Sequence, residues 1–306
     1  MTSTWPDLAF PGFRTYIEEQ QRNRVGTDGA LAYAHPVDQW ILRTLGSLPV
    51  RSVLDKAIDA YISSQMGQAL ATGISIDGKS FPDLFDVLSH CARELGIPIP
   101  HAVAMNTVEL FNAFTAGTDE YAFIGITAGL CRHFSYDEAS FVIGHECGHI
   151  ASRHMEYHTL VSILTGTLAA YLGPIGALLA RTAGVPLRAW ARRSEVTADR
   201  AGLLCCGDLK VAERALLRLA AGLADVDQVD IEDYLRKARD IEQYHGLSGW
   251  QQLFMSHPLI PKRIEALRLF ARSEIYFELS GKPVPAGTQV LSRAELDRRV
   301  NDIVKP

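Results

Sequence analysis

The sequence has no excess of basic residues. It contains 30 lysines and arginines against 35 aspartates and glutamates, so its formal net charge is −5. Binding to nucleic-acid phosphates requires clustered positive charge, and no strongly basic run is present. We therefore expect no nucleic-acid partner. Hydrophobic residues make up 47% and charged residues 21% of the chain, which is typical of a globular protein.

Cysteine pairs with the spacing of redox or metal motifs are also absent. No C-x-x-C occurs, and an odd number of cysteines does not suit a disulfide framework. We expect the five to be buried or free thiols: Cys91, Cys131, Cys147, Cys205 and Cys206. The segment Met1–Gly12 lacks the charged-then-apolar pattern of a secretory signal. These absences predict a cytoplasmic protein.

Helical and strand-like patterns divide the chain into three parts. Residues 1–75 show apolar residues at helical spacing and predict an N-terminal helical region that serves as a scaffold or cover. Residues 76–275 contain the motifs that carry chemistry. Residues 276–306 begin with several glycines and prolines and predict a loose C-terminal tail that ends in a short charged helix.

The middle part predicts strands followed by helices. An amphipathic helix at Pro82–Leu95 comes first. Short apolar segments then predict three strands, at His101–Asn106, Ala113–Thr115 and Tyr121–Thr127. The later helices are predicted at about Leu187–Gly207, Leu209–Gly222, Ile231–Tyr244 and Pro261–Phe270. This order favours an α+β fold that is mostly helical and has a small sheet.

One helix carries the pattern H-E-x-x-H. It begins at the capping box Ser135-Tyr-Asp-Glu138 and includes His145, Glu146 and His149. Histidines four positions apart lie on one helical face, about 5–6 Å apart at their β-carbons. Both imidazoles can therefore bind one zinc ion, while Glu146 lies beside it as the general base for a water molecule. The pattern predicts one catalytic Zn²⁺ per chain.

A catalytic zinc needs a third protein ligand. His154 is close in sequence, but in a continuing helix it would lie about 140° around the axis from His149. Glu195 is the better candidate, because Asp199 follows it by four positions and both can face the first helix. Glu195 would then bind zinc, and Asp199 would accept a hydrogen bond from a ligand histidine. An ordinary solvated helix face remains the alternative for this pair.

Motifs spread from Phe81 to Leu269 resemble the HtpX-like and CAAX prenyl endopeptidase family of gluzincin metallopeptidases, which includes Oma-type and BepA-type proteases. The resemblance implies a zincin-type domain with Glu195 as the third zinc ligand. The motifs that carry it are Asn112-Ala-Phe-Thr-Ala-Gly117, Ile126-Thr-Ala-Gly-Leu130, Ser135-Tyr-Asp-Glu138, His145-Glu-Cys-Gly-His149, Glu195-Val-Thr-Ala-Asp199, and Ser256-His-Pro258 with Arg263-Ile264.

The resemblance also implies a zinc endopeptidase that cleaves extended or unfolded protein segments. An extended peptide would join the sheet edge at Asn112, Ala113 and Phe114 by strand addition. His257 and Arg263 match the late motif and would approach the substrate or the oxyanion, with helix capping or packing as the alternative for His257. Two further hypotheses stay open: a latent protease blocked by a terminal segment, and a peptide-binding module without turnover.

Residues 159–180 form a run of 22 residues without charge, long enough to span a membrane. A single crossing is excluded, because it would separate His149 from Glu195, which must bind the same ion. Two crossings need about 40 apolar residues, and arginines follow too soon. We therefore predict an apolar helical hairpin or lid at residues 159–190. Membrane association through this segment, or an interface with a partner, is the alternative.

Overall fold

The computed structural model describes residues 31–36, 59, 62–64, 66–69, 71–106, 110–117, 122–155, 158–159, 173–245 and 259–304. Helices dominate these ranges and follow a small sheet, so the prediction of an α+β fold is confirmed. The strands are β1 (Ile74–Ile76), β2 (His101–Met105), β3 (Ala113–Gly117) and β4 (Ala122–Thr127). The helices are α1 (Pro82–Glu94), α2 (Ala128–His133), α3 (Tyr136–Ala151), α4 (Gly173–Cys206), α5 (Leu209–Ala221), α6 (Ile231–His245), α7 (Ile260–Phe270), α8 (Glu274–Ser280) and α9 (Arg293–Val304).

The sheet has four strands in the order β1-β2-β4-β3. Strand β2 pairs with β4 in parallel, whereas the β1–β2 and β3–β4 pairs are antiparallel. All six residues of β4 are buried, because this strand is flanked by neighbours on both sides. Strand β3 forms one edge of the described sheet, with Ala113 paired to Ile126.

Helix α3 begins at the capping box that the sequence predicts. The Ser135 side chain accepts from the Glu138 amide at 3.3 Å, and the Ser135 amide donates to the Glu138 carboxylate at 3.0 Å. These contacts satisfy backbone donors that the first helical turn leaves open. Every residue from Glu138 to Ile150 is buried, so the H-E-x-x-H motif lies inside the protein.

Helices α3 and α4 approach each other closely through small residues. A β-carbon added at Gly148 would lie 2.6 Å from the Ala201 β-carbon, and one at Gly144 would lie 2.7 Å from the Cys205 β-carbon. On the facing helix, a β-carbon at Gly202 would lie 2.5 Å from the Phe141 carbonyl oxygen. The absence of side chains at these points lets α4 bring its polar residues to the motif on α3.

Helix α4 begins earlier than the sequence predicts. It runs unbroken from Gly173 to Cys206, whereas the sequence predicts a helix from about Leu187. Residues 173–190 of the predicted hairpin or lid therefore belong to one long helix, and residues 160–172 lie outside the described ranges. Among the helices that the structure describes, none combines the length and apolar character needed to span a membrane.

The C-terminal tail combines an exposed segment, residues 281–287, with helix α9, which packs against the core. Leu296, Val300 and Val304 are buried on α9. Their spacing of four residues places them on one helical face, against the core. Ser273 and Leu291 also form an isolated parallel bridge. The domain boundaries at residues 75 and 275 remain predictions.

Residues 31–36 lie against α4 and the start of α9. The His35 amide donates to the Thr197 hydroxyl at 2.9 Å. Arg200 donates to the Tyr33 carbonyl at 3.0 Å, and Arg293 donates to the Ala32 carbonyl at 2.6 Å. The described residues between 59 and 72 are helical. The rest of the predicted N-terminal helical region lies outside the described ranges.

Candidate metal centre

Three predicted ligands meet where α3 faces α4. The Nε2 atoms of His145 and His149 lie 3.2 Å apart. Glu195 Oε1 lies 3.3 Å from His149 Nε2, and Glu195 Oε2 lies 3.6 Å from His145 Nε2. All three side chains are buried. The structure thus brings together two imidazole nitrogens and one carboxylate from residues that are distant in sequence.

The spacing of these atoms fits a zinc ion. Tetrahedral zinc with bonds of about 2.0–2.1 Å holds its ligand atoms roughly 3.3–3.4 Å from one another. The two Nε2 atoms, 3.2 Å apart, lie near that value, and each has a different oxygen of Glu195 close by, at 3.3 Å for His149 and 3.6 Å for His145. Two imidazoles and a glutamate are also a ligand set of catalytic zinc sites that leave one position open.

Asp199 supports His145 from the other side of its ring. Its Oδ1 lies 2.9 Å from His145 Nδ1, so a proton on Nδ1 leaves the lone pair of Nε2 directed at the centre. Burial raises the pKa of Asp199, but the charge and hydrogen bonds of Arg263, with a smaller contribution from His145, outweigh it and lower the pKa overall. The carboxylate is therefore ionised when it accepts from His145.

The Arg263 guanidinium forms a buried ion pair with the Asp199 carboxylate. Its Nε donates to Asp199 Oδ2 at 2.8 Å and its Nη2 donates to Oδ1 at 2.6 Å, while Nη1 lies 3.6 Å from Glu195. Burial lowers the pKa of Arg263, but Asp199 and the other nearby carboxylates raise it overall. Arg263 lines the cleft, which agrees with the predicted contact to a substrate. Two of its nitrogens, however, donate hydrogen bonds to Asp199. Sequence reasoning missed this pairing.

Glu146 points toward strand β3. The hydroxyl of Thr115 donates to Glu146 Oε2 at 2.6 Å. Thr115 belongs to the segment matched to the substrate-binding edge, but its contact with Glu146 was not foreseen, because no spacing rule relates a strand residue to a helix residue 31 positions away. The contact holds the carboxylate at the wall of a cleft that His145 and Glu195 also line.

A cleft of about 570 Å³ opens on the metal centre. Its walls combine His145, Glu146, Glu195 and Arg263 with apolar side chains from α3, α5 and α7. Asn112 and Ala113 also line it, next to the edge strand. The Phe114 ring instead packs edge-on against Phe123, with centroids 6.0 Å apart. The remaining lining residues are Leu110, Phe111, Phe141, Val142, Leu219, Ala220, Ala221, Gly222 and Ile260.

The expectation that His154 faces away from His149 is wrong. Helix α3 ends at Ala151, and Arg153 adopts a left-handed conformation with φ 56°. The His154 amide donates to the His149 carbonyl at 2.9 Å and the Arg153 amide to the Ile150 carbonyl at 3.1 Å, which is a Schellman ending. This turn brings His154 Nδ1 to 3.1 Å from His149 Nδ1.

The other predicted residues have plain outcomes. All five cysteines are free. Cys147 is buried in the hydrophobic core and does not belong to the candidate metal ligands. His257 lies outside the described residues, so its catalytic role stays a prediction. A second trio, His149, His154 and His158, also places ligand atoms within 4.8 Å of one another.

Comparison with known proteins shows the family of the chain. The model of peptidase family M48 matches residues 79–271. The chain belongs to peptidase family M48. It is 30% identical over 258 residues to plastoglobule-localized metallopeptidase 48 from Arabidopsis thaliana, covering 81% of this chain and 74% of that protein. It is 28% identical over 220 residues to a protease HtpX homolog from Thermococcus sibiricus, covering 63% and 75%.

Membership of family M48 confirms the resemblance to HtpX-like proteases and supports a metalloprotease function. A metallopeptidase requires a metal ion, and zinc is the one expected in this family. No solved structure matches the chain. The cytoplasmic location and membrane contact through residues 159–190 remain predictions.

Proposed function

We propose that this M48 peptidase is a zinc-dependent endopeptidase that cleaves extended or unfolded protein segments. The observation that carries the proposal is the position of the Glu146 carboxylate, which Thr115 holds in the wall of the cleft that His145 and Glu195 also line. A general base must lie within reach of the water that it activates. A protein that only binds peptides has no need of such a group.

His145, His149 and Glu195 would hold the zinc ion, with Asp199 supporting His145. When bound, zinc supplies Lewis acidity to the scissile carbonyl and acidifies water. Glu146 takes a proton from the attacking water and returns it to the amine that leaves. The Thr115 hydroxyl donates to Glu146 Oε2 at 2.6 Å and so restricts the rotation of the carboxylate during both transfers.

The position of strand β3 supports the proposal that the substrate is an extended segment. It lies at one edge of the described sheet, and Asn112 and Ala113 at its start line the cleft. A peptide added along this edge would gain backbone hydrogen bonds that do not depend on its sequence. Most backbone groups of a folded protein are already paired within that protein, so unfolded or extended segments are the expected substrate class.

The test compares the wild type with Glu146→Gln and, as a matched control, with Glu278→Gln at an exposed position on α8. Hydrolysis of casein and of an internally quenched peptide is measured together with zinc content. We expect the wild type and Glu278→Gln to cleave and Glu146→Gln to retain one zinc while losing at least about 10³-fold in rate, because an essential proton acceptor is missing. Cleavage by zinc-loaded Glu146→Gln would refute the assigned role.

Zinc binding without cleavage in every form would favour the latent or peptide-binding hypothesis. Removal of residues 1–30 then separates the two, because only a latent enzyme gains activity. Deleting the C-terminal tail is less informative, since it removes the buried Leu296, Val300 and Val304. Within the described ranges, no residue of this tail lines the cleft.

A further inference from the structure

We propose that His154 is a positioning residue that holds the ligand His149 through a hydrogen bond between two imidazole rings. The inference rests on the proposed metal site. It assigns to His149 the kind of support that Asp199 gives to His145, but from a neutral ring. Nothing in the spacing of the H-E-x-x-H motif requires such a partner.

The geometry places the two rings in direct contact. His149 Nδ1 and His154 Nδ1 lie 3.1 Å apart, a normal distance for a hydrogen bond between nitrogens. The rings are tilted at 64°, with centroids 5.3 Å apart. His154 is fully buried, with a relative exposure of 0%. Water therefore does not compete for this contact, which strengthens it.

Metal binding leaves one arrangement of protons. His149 Nε2 faces His145 and Glu195, so its lone pair serves the metal and the proton of the neutral ring lies on Nδ1. Nδ1–H then donates to His154 Nδ1. His154 must therefore be the tautomer that carries its own proton on Nε2. A fixed tautomer and ring orientation are what a supporting residue gives to a metal ligand.

Neighbouring aromatic rings hold His154 in place. Trp190 packs edge-on against it, with centroids 5.4 Å apart and an interplanar angle of 83°. His158 contacts both the His149 ring and Trp190, with centroid distances of 4.9 and 5.1 Å. The Ser194 hydroxyl donates to the Ala191 carbonyl at 2.8 Å, so His158 Nε2, 2.7 Å from Ser194 Oγ, acts as the donor there.

The same three imidazoles could instead hold a second metal ion. His149, His154 and His158 place their ligand atoms within 4.8 Å of one another. That site would use the lone pair of His149 Nδ1, which is absent while Nδ1 carries the proton that the first site requires. A positioning role of His154 uses both nitrogens of His149 without conflict. The number of zinc ions bound per chain distinguishes this role from a second metal site.

The test uses three variants of the full chain. His154→Phe keeps a buried ring but removes the acceptor, and His154→Asn places an amide oxygen close to the position of Nδ1 as a rescue. His158→Phe is the packing control in the same cluster. Zinc affinity is measured by competition with a chromophoric chelator, together with zinc stoichiometry, the visible spectrum of the Co²⁺-loaded protein, and urea unfolding of the metal-free form.

We expect His154→Phe to bind zinc about 10–100-fold more weakly than the wild type, as for loss of other supporting residues. His154→Asn and His158→Phe should stay within roughly threefold of wild type and keep the Co²⁺ spectrum. If the Phe variant does not fold, His154→Leu replaces it against the same Asn rescue. A merely structural role would lower unfolding stability without separating Phe from Asn in zinc affinity.

Three outcomes would overturn the inference: wild-type affinity in the Phe variant, equal loss in the Phe and Asn variants, or two zinc ions in the wild type with one lost on substitution. Failure of the proposed function looks different. In that case the wild type binds no zinc tightly, or His149→Ala binds it as well as the wild type does.

Discussion

The two proposed ligand histidines, His145 and His149, are supported in opposite ways. His145 contacts an ionised carboxylate 54 positions away, which in turn is paired with Arg263 on a third helix. His149 contacts a second imidazole only five positions along the chain. The first support depends on the packing of α3, α4 and α7, whereas the second depends on one helical ending. Neighbouring ligands of one centre can thus be fixed by distant ionic contacts and by a local neutral one.

Losing one partner of the ionic support is expected to cost more unfolding free energy than losing the neutral one. Breaking a buried ion pair by removing one partner leaves a charge without compensation, which typically costs 3–5 kcal/mol, while replacing both partners with apolar residues is often close to neutral. A neutral pair of rings does not carry that penalty. The comparison therefore predicts unequal consequences of substitution on the two sides of the centre.

The largest effect is expected for Asp199→Leu. Both hydrogen bonds from Arg263 are lost, although Glu195 stays 3.6 Å from Arg263 Nη1. We expect the free energy of unfolding of the metal-free protein to fall by about 3 kcal/mol, because a buried guanidinium loses its main partner. Urea unfolding measures this difference.

The control is the double variant Asp199→Leu/Arg263→Met, which removes the charge as well as its partner. It should recover most of the lost stability, while zinc binding stays weak because His145 lacks its support. If Asp199→Leu alone lost less than about 1 kcal/mol, the ionic support would not be the costly one.

A smaller effect is expected for Gly148→Ala. The new β-carbon would lie 2.6 Å from the Ala201 β-carbon and 3.2 Å from the Ala198 α-carbon, so α3 and α4 must move apart. We expect a loss of about 1–3 kcal/mol in unfolding free energy. Zinc affinity should fall as well, because Glu195 and Asp199 reach the centre from α4.

Gly148→Ala combined with Ala201→Gly restores the space and should regain part of both losses, less the roughly 0.5–1 kcal/mol that a helical glycine costs. The contact between His149 and His154 should survive in both forms, since it belongs to the end of α3 itself. A loss of zinc affinity that Ala201→Gly cannot rescue would argue against helix spacing as the cause.

The smallest effect concerns the turn that delivers His154. Arg153 has φ 56°, a conformation that glycine adopts without strain and other residues adopt at a cost. Because Arg153→Gly and Arg153→Ala both remove the side chain, their difference isolates the backbone. We expect the Gly variant to be more stable by about 1 kcal/mol in thermal or urea unfolding. Equal stability would mean that the turn relaxes on substitution.

Helical periodicity made much of this centre predictable. His145, Glu146 and His149 share one helix, Glu195 and Asp199 share another, and a spacing of four fixes which side chains lie together. The capping box and the three strands were likewise predicted from local patterns, to within one or two residues. The resemblance to HtpX-like proteases singled out Glu195 from the alternatives that spacing left open.

The contacts that sequence reasoning missed depend on tertiary structure or on an unmarked turn. No glycine or proline directly follows Ala151, so the turn at Arg153 that ends α3 had no sequence signal. His154 was therefore placed on a helix that does not continue. The pairing of Arg263 with Asp199 joins residues 64 positions apart. Helix α4 also includes residues 173–186, ahead of the stretch predicted from about Leu187, although Pro186 lies within it.

The hydrogen bond from Arg293 to the Ala32 carbonyl joins residues 261 positions apart. During synthesis the chain emerges from its N-terminus, so His145 and His149 leave the ribosome well before Glu195, Asp199 and Arg263. The Ala32 carbonyl can accept from Arg293 only when the beginning of α9 has followed. A nascent chain therefore holds only two of the three proposed metal ligands until Glu195 has followed, and a ribosome-bound fragment that ends before Glu195 would not form the proposed catalytic centre.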